Sequence, residues 1–249
     1  MESLSVILPA YNEALRLPRT FELLAEAKKN GVFSAIHLVE IWVIDDGSRD
    51  DTSKVAYQAQ ALLPELRVKR IEPNQGKGHA IHEGLKQSQG DWCLIADADS
   101  ATPWNQLPKL LSAVRQESPP YSIAIGSRDL PESDIQTKQS WIRENMGKTF
   151  NFLVRFITGL PFKDTQCGFK LIHRSAIQPF LGQLQIKRFA WDVEFLMLSQ
   201  AHHLKITEVA VAWAHQDASS VNPIKDSSEM LFRVIQLRFR LWIAGKSPR

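Results

Sequence analysis

The chain lacks the features that mark several common protein classes. It has 2 cysteines in 249 residues, too few for a disulfide scaffold. Cys93 lies in an apolar run and Cys167 in a polar motif, so we expect both thiols to be free, as in a reduced intracellular protein. No internal repeat or low-complexity segment is visible, which argues against solenoids and disordered tails.

Long hydrophobic runs are also missing. No uninterrupted apolar run approaches the roughly 18 to 20 residues that span a bilayer. The strand-like segment LSVILPA follows Met1 almost directly, without the basic region, apolar region and cleavage site of a signal peptide. The sequence therefore predicts neither a transmembrane helix nor a cleaved leader.

Positive charge is in slight excess only, with a formal net charge of +3. Such a small excess suits anionic small molecules or an anionic membrane surface as well as nucleic acid. The lysines and arginines do not gather in one stripe with interleaved aromatic residues, so nucleic-acid binding is not expected.

Short apolar runs rich in Val and Ile alternate with helical patterns, which predicts an α/β fold with a mostly parallel central sheet flanked by helices. The runs that predict strands are residues 4–8, 41–44, 68–71, 92–96, 122–126 and 206–212. The first pattern that predicts a helix covers residues 15–30, with Gly31 as the stop. A second pattern begins after residue 48 and continues through residues 56–62, and a third covers residues 76–85.

No Pro/Gly/Ser-rich stretch or long charge run offers a domain boundary, so we predict a single domain over residues 1–249. Within it, we expect a nucleotide-binding half over about 1–100, an acceptor half over about 101–215, and an acceptor loop and C-terminal amphipathic helix over about 216–249.

Five short polar clusters occur along the chain, each at the end of an apolar run. They are PAYNE (9–13), DDGS (45–48), NQGKGHA (74–80), DAD (97–99) and DTQCGFK (164–170). Ligands of open α/β sheets bind at the carboxyl ends of the strands. The first clusters therefore predict a nucleotide-binding half-sheet.

The DAD cluster has the clearest chemical meaning. Two carboxylates two residues apart, just past a buried strand, can hold Mg²⁺ or Mn²⁺, which in turn binds a diphosphate. Alone, such a pair is more often a solvated loop. Gly76-Lys77-Gly78 could offer backbone N–H groups and an ammonium to an anion. Its spacing matches neither the phosphate loop of ATPases nor the dinucleotide fingerprint of dehydrogenases.

The DDGS cluster has two interpretations. Asp45 or Asp46, at the end of the second strand, could accept a hydrogen bond from a nucleobase, and the same residue types also cap helices. Tyr11, taken alone, is more often a core residue than a ligand contact.

Two amphipathic segments, residues 141–160 and 229–243, mix aromatic residues with arginines. This composition is typical of a helix at a membrane interface. Packing of both helices on the sheet or on a partner subunit is an equally good interpretation of the pattern.

The five clusters in this order resemble the family 2 glycosyltransferases, from Ser5 to about Gly245. The DTQCGFK cluster points to the dolichyl-phosphate β-glucosyltransferase branch. So does the segment DADSATP, which is closer to the DADGATK of that branch than to the DADLQHP of the mannosyl branch. The resemblance implies a GT-A-type fold and a metal-dependent, inverting transfer of glucose from UDP-glucose to a polyprenyl phosphate. It implies Mg²⁺ or Mn²⁺ as cofactor and a peripheral position at the cytoplasmic face of a membrane. The sequence leaves open whether the protein forms a homo-oligomer. The alternative is another nucleotide sugar and a soluble hydroxyl acceptor.

The resemblance also suggests residue roles. Asp99 is the direct metal ligand, and Asp97 lies against the ribose or shares the metal. Asp192 is the candidate base, with Glu194 as the second candidate, and Ser48 is assigned to helix capping. The nucleotide-sugar residues are Pro9, Ala10, Tyr11, Glu13, Asp45, Lys77, Asp97 and Asp99. The acceptor and phosphate residues are Arg128, Arg143, Asp164, Gln166 and Lys170, of which Arg128 is also the candidate catalytic cation and Lys170 could instead be a solvated surface charge.

The sequence departs from this branch at one acceptor-side motif, where Gly-Ser-Lys is replaced by Ala218-Ser219-Ser220. Either the acceptor is not a long polyprenyl phosphate, or phosphate binding moves to Lys225 or an arginine.

Overall fold

A computed structural model describes residues 1–116, 122–137, 141–215 and 223–245. The strands are β1 Ser3–Ala10, β2 His37–Asp45, β3 Leu66–Arg70, β4 Trp92–Ile95, β5 Ser122–Ser127, β6 Asp134–Thr137, β7 Lys170–His173, β8 Lys205–Ala210 and β9 Ala212–Ala214. The helices are α1 Leu17–Lys29, α2 Thr52–Gln58, α3 Lys77–Gln87, α4 Leu107–Arg115, α5 Trp141–Thr158, α6 Arg174–Ile177, α7 Trp191–Ala201 and α8 Pro223–Ile243. Short 3₁₀ turns cover Ala59–Ala61, Trp104–Gln106 and Leu181–Gln183.

Seven strands form the main sheet in the order β3-β2-β1-β4-β7-β5-β8, and β6 pairs with β9 in a small second sheet. All neighbours in the main sheet are parallel except β7, which runs antiparallel between β4 and β5. The predicted α/β fold with a mostly parallel sheet is therefore confirmed. The sequence did not predict β7, because its four residues begin with the last residue of a polar motif and show no alternation of their own.

The central strands are buried on both faces, which explains their near-continuous apolar sequences. Along β1, Leu4, Val6 and Leu8 pack with α1 and α4 on one face. Ile7 points to the other face, where it packs with residues of α3, α7 and α8. Each face of the sheet is thus covered by helices, as the crossover connections of a parallel sheet require.

The strand order of the sheet reverses at β1, because successive strands are placed first on one side of β1 and then on the other. The chain adds β2 and β3 on one side of β1 and then places β4 on its other side. A reversal of this kind leaves a crevice at the carboxyl ends of the two strands that flank it. PAYNE begins with the last two residues of β1 and DAD follows β4, so the topology brings these two clusters to the same crevice.

Helix α7 was not assigned from the sequence. All of its first nine residues are buried, including the polar residues Asp192, Glu194 and Ser199. A helix that is buried all round has no amphipathic period to detect.

Helices α5 and α8 pack against each other. Helix α8 begins at Pro223, six residues before the predicted start at Glu229, and α5 ends two residues before the predicted Leu160. Val234, Leu237 and Leu241 of α8 are buried against the sheet side. Within the part of the chain that the structure describes, neither helix, nor any other, is long and apolar enough to span a bilayer.

Candidate active site

A cleft of about 330 Å³ lies at the carboxyl ends of β1 and β4. It contains seven of the eight nucleotide-sugar residues expected from the sequence, namely Pro9, Ala10, Tyr11, Glu13, Lys77, Asp97 and Asp99. It also contains Asn74 of the third cluster, together with Arg16, Arg188 and Phe189, for which the sequence indicated no role. The structure thus brings the first four clusters together in one cavity, the second of them through Asp46.

Asp97 of DAD forms an ion pair with Lys77, the first residue of α3. The Lys77 Nζ to Asp97 Oδ1 distance is 2.5 Å. Burial alone would lower the pKa of Lys77, but the carboxylates of Asp97 and Asp192 outweigh it and raise that pKa. Burial would likewise raise the pKa of Asp97, and the Lys77 ammonium lowers it. Both groups are therefore charged at neutral pH.

Asp99 has a different environment. Its Oδ1 accepts the backbone N–H of Ala101 at 3.0 Å, and its Oδ2 lies 4.0 Å from Arg16 Nη1. Burial, with a smaller contribution from the Asp97 charge, raises the pKa of Asp99. Arg16 also donates from Nε to Glu13 Oε2 at 2.5 Å. A cation bound at Asp99 would relieve the repulsion between the two DAD carboxylates.

The DAD carboxylates fit a divalent metal only in part. Among the described residues, no group of three or more His, Cys, Asp or Glu side chains could hold a metal by itself. Asp97 and Asp99 supply hard oxygen ligands, which suit Mg²⁺ or Mn²⁺. The remaining ligands would have to come from a diphosphate and water, which is the usual arrangement for these ions at nucleotide sites.

The two aspartates of DDGS face different surroundings. Asp45 is fully buried and accepts the backbone N–H of Ser48 at 2.8 Å as well as the Ser53 hydroxyl. Asp46 lines the cleft and accepts the backbone N–H of Gly76 at 2.6 Å. Both carboxylate oxygens of Asp45 thus have partners within the protein, and its contact with a nucleobase stays a prediction. The Ser48 hydroxyl accepts the Asn12 N–H at 2.9 Å.

The glycines of NQGKGHA make room for a neighbouring loop. A Cβ atom on Gly76 would lie 2.6 Å from the Lys187 carbonyl oxygen, and one on Gly78 would overlap the Ile186 carbonyl. Gly76 also has a φ of +108°, a conformation that side chains disfavour. His79 N–H donates to the Lys187 carbonyl at 2.9 Å. The glycines thus allow the segment 185–188, called the cover loop below, to sit directly on the start of α3.

Asp192, the candidate base, is paired in the interior. Lys170 Nζ lies 2.5 Å from Asp192 Oδ1, and the two side chains are 0% and 5% exposed. The same ammonium donates to the Cys167 carbonyl and lies 5.6 Å from the centre of the Trp191 ring. Burial raises the pKa of Asp192, although the Lys170 ammonium opposes the shift. The alternative that Lys170 is a solvated surface charge is wrong.

Glu194, the second candidate base, holds the cover loop instead. Its Oε2 accepts the backbone N–H groups of Gln185 and Ile186 at 2.9 and 2.7 Å. Its Oε1 lies 2.5 Å from Arg240 Nη2 of α8. Because Glu194 is fully buried, these contacts satisfy a charge that would otherwise be costly. Its role is to tie the cover loop and α8 to α7.

Arg128 and Asp164 form a bidentate pair. Arg128 Nε and Nη2 donate to the Asp164 carboxylate at 2.7 and 3.0 Å, and the Arg128 backbone N–H adds a third bond at 3.0 Å. Burial would raise the pKa of Asp164, and Arg128 lowers it. Gln166 donates its backbone N–H to the same carboxylate at 3.0 Å. Phosphate binding by Arg128, Asp164 and Gln166 stays a prediction.

Arg143 lies in α5 and Lys225 in α8, but the side chains of both residues are outside the described part of the chain. Residues Ala218, Ser219 and Ser220 are outside it as well.

A second cavity of about 420 Å³ lies between residues 185–190 and α8. It shares Arg188, Phe189 and Asp226 with the cleft, so the two cavities adjoin.

Comparison with known proteins agrees with this geometry. The profile of glycosyl transferase family 2 matches residues 5–180. The chain belongs to this family and is a glycosyltransferase.

Two curated relatives narrow the similarity. The dolichyl-phosphate beta-glucosyltransferase of Dictyostelium discoideum is 37% identical over 246 residues, which make up 95% of this chain and 74% of that protein. The human dolichyl-phosphate beta-glucosyltransferase is 36% identical over 248 residues, 96% of this chain and 76% of that protein. The resemblance to this branch is confirmed.

Solved structures share the fold at much lower identity. Mannosyl-3-phosphoglycerate synthase from Rubrobacter xylanophilus aligns with a TM-score of 0.69 and 18% identity, over 100% of this chain and 76% of that one. Glucosyl-3-phosphoglycerate synthase from Mycobacterium tuberculosis, solved with Mn²⁺, UDP and glucosyl-3-phosphoglycerate, aligns with a TM-score of 0.66 and 16% identity, over 99% and 80% of the two chains. These likenesses confirm the GT-A-type fold.

The residues that the sequence did not indicate share one property. Arg16, Arg188 and Phe189 lie outside the five clusters, within or beside ordinary helix and loop segments. Asp46 was noted, but nothing in the sequence favoured it over Asp45 as the carboxylate that faces the cleft.

We predict that the buried pair makes Asp192→Asn destabilising. The substitution leaves the Lys170 ammonium without its carboxylate, at a cost of about 3–5 kcal/mol in the free energy of unfolding. Lys170→Met combined with Asp192→Asn removes both charges and should recover most of the loss. Urea unfolding of the wild type and both variants measures this. Equal stability of the single and the double variant would contradict the pairing.

Proposed function

We propose that this protein transfers glucose from UDP-glucose to a polyprenyl phosphate at the cytoplasmic face of a membrane, with Mg²⁺ or Mn²⁺ as cofactor and inversion at the anomeric carbon. The observation that carries the proposal is the similarity to dolichyl-phosphate beta-glucosyltransferases over almost the whole chain. The DAD carboxylates support it, because they line a cleft at the carboxyl ends of β1 and β4, where the strand order reverses. We also propose that residues 1–249 act as one domain.

The donor would bind in the cleft. Tyr11 lines it on the side of β1, and Asp46 and Asn74 line it near the start of α3. Asp99, with Asp97, would hold the metal, which when bound neutralises the diphosphate and stabilises the leaving group. Lys77 adds a fixed ammonium beside Asp97.

A phosphate acceptor makes limited demands on a general base. The second pKa of a phosphate monoester is about 6, so most of it is a dianion at pH 7 and needs positioning more than deprotonation. Asp192 is held by Lys170 and could take a proton only by giving up part of that ion pair. This arrangement favours a phosphate acceptor over a hydroxyl acceptor, which would need a free base.

The acceptor side would be reached along α8. The cavity between residues 185–190 and α8 has Met230 and Leu237 on its wall with Lys187 and Arg233. Apolar and basic groups on one wall suit an amphiphile with an anionic head.

A membrane would supply that acceptor. The outer sides of α5 and α8 carry an exposed aromatic face formed by Phe152, Phe156, Phe232, Phe239 and Trp242. Their exposures range from 58% for Phe232 to 80% for Phe156. Exposed aromatic side chains on amphipathic helices with arginines suit the lipid interface. A partner subunit on the same face is the second candidate.

The main test is product analysis. The purified protein, given Mn²⁺ and each of a panel of nucleotide sugars with polyprenyl phosphate or soluble sugars, should form glucosyl polyprenyl phosphate from UDP-glucose. Asp99→Asn should reduce the rate by at least about 100-fold, because the metal loses a direct ligand. Asp51→Asn, at an aspartate that is 71% exposed, is the control. Transfer only to hydroxyl acceptors would contradict the proposal.

The close approach of DTQCGFK to DAD gives a second prediction. A Cβ atom on Gly168 would overlap the Asp97 carboxylate, whereas one on Gly182 meets nothing within 4 Å. Gly168→Ala should therefore displace Asp97 and weaken Mn²⁺-dependent UDP binding by about 10- to 100-fold, as small displacements in such sites do. Calorimetry measures this, with Gly182→Ala as the matched control. Equal UDP binding by Gly168→Ala and Gly182→Ala would contradict the assignment of Asp97 to the donor site.

Membrane contact gives a third prediction. Phe156→Ser with Trp242→Ser should reduce flotation with vesicles of mixed neutral and anionic lipid, and high salt should reduce flotation of the wild type. Tyr57→Ser with Leu62→Ser, at side chains 54% and 51% exposed elsewhere on the surface, should have no effect. If the wild type does not float at low salt, the aromatic face is a protein interface.

A further inference from the structure

A small cavity adjoins Asp97 outside the cleft described above. Its volume is about 20 Å³, and six of the residues that line it are Asp97, Ser100, Trp104, Arg128, Gly168 and Trp213. A cavity needs a volume of at least about 10–15 Å³ to hold one bound water. The cavity therefore has room for one oxygen atom and not for a whole sugar.

Two side chains on the wall of this cavity carry polar atoms without partners. Trp104 Nε1 and Ser100 Oγ are both shielded from solvent, and neither has a hydrogen-bond partner among the described residues. Trp104 is only 4% exposed. Buried donors that lack a partner are uncommon in folded proteins, and each one calls for an explanation such as a water or ligand that binds there.

The backbone at Ser100 gives an independent indication. Its φ is +52°, in the left-handed region that residues other than glycine rarely adopt. Strain of this kind occurs preferentially where the chain positions a group for binding. Here it falls on a residue whose hydroxyl lacks a partner.

The wall favours a neutral hydroxyl over an ion. Trp104 can only donate a hydrogen bond, the Asp97 carboxylate can only accept one, and Ser100 can do either. An anion would be repelled by Asp97, and a cation would meet the guanidinium of Arg128. A hydroxyl oxygen, which both donates and accepts, satisfies every group. It could belong to a water or to a sugar.

We propose that this cavity is a subsite for one hydroxyl group of the transferred sugar, and that Trp104 and Ser100 determine specificity by binding that hydroxyl. The proposal rests on the nucleotide-sugar donor proposed above. Asp97 lines both the cleft and the small cavity, so a sugar attached to a diphosphate at DAD would lie next to the carboxylate that the two spaces share.

The test compares sugar donors in the absence of any acceptor. Calorimetry with Mn²⁺ gives the Kd of UDP, UDP-glucose and the four UDP-glucose analogues that lack the hydroxyl at C2, C3, C4 or C6. In the wild type, one analogue should bind about 10- to 100-fold more weakly than UDP-glucose, the usual effect of leaving buried donors unpaired. Trp104→Phe and Ser100→Ala should each bind UDP normally and lose discrimination against that same analogue.

Trp42→Phe is the matched control, because Trp42 on β2 also has a buried Nε1 without a partner among the described residues. It should discriminate like the wild type. If Trp104→Phe fails to fold, Ser100→Ala carries the test alone.

The outcomes separate this proposal from the one on which it rests. UDP binding with no discrimination among the analogues in the wild type would overturn the subsite alone, and the cavity would then hold only water. Unchanged discrimination in both Trp104→Phe and Ser100→Ala would also overturn it. Failure of the wild type to bind UDP would overturn the donor assignment and the subsite together.

Discussion

The Asp97 carboxylate is the group on which the rest of the site depends. Lys77 holds one of its oxygens at 2.5 Å, and Gly168 approaches so closely that no side chain fits between them. The same carboxylate lines both the cleft and the small cavity beside Trp104. It therefore joins the end of β4 and the start of α3 to the DTQCGFK motif, and a metal, a diphosphate and a sugar bound there would all be positioned relative to one carboxylate.

Ion pairs that each contain a buried carboxylate organise the second half of the protein. Lys170 and Asp192 neutralise each other beneath the site, Arg128 and Asp164 do so beside β5, and Glu194 with Arg240 joins α7 to α8. Such pairs add little net stability, since desolvation offsets most of the attraction, but breaking one is costly. Their effect here is to fix positions. Through Glu194, α8 and its exposed aromatic face are connected to the cover loop that packs on the glycines of α3.

Most of the fold was predictable because parallel strands buried on both faces leave continuous apolar runs in the sequence. Helices α4, α6 and α7 and strands β6 and β7 were not assigned from the sequence, and for β7 and α7 the reason is physical. Strand β7 is four residues long and antiparallel, and α7 is buried all round, so neither shows a period of its own. Seven of the eight nucleotide-sugar residues line the cleft, and so does Asp46, whereas Asp45 is fully buried and its contact with a nucleobase stays a prediction.

The sequence by itself determined which clusters would meet, because the carboxyl ends of neighbouring parallel strands lie at one edge of a sheet. The tertiary structure decided which charges are paired and which face a ligand. Lys170 and Asp192 are 22 residues apart, Arg128 and Asp164 36, and Arg240 and Glu194 46. No local pattern encodes such contacts. They form only when the packed core brings distant segments together and leaves each buried charge one partner within reach.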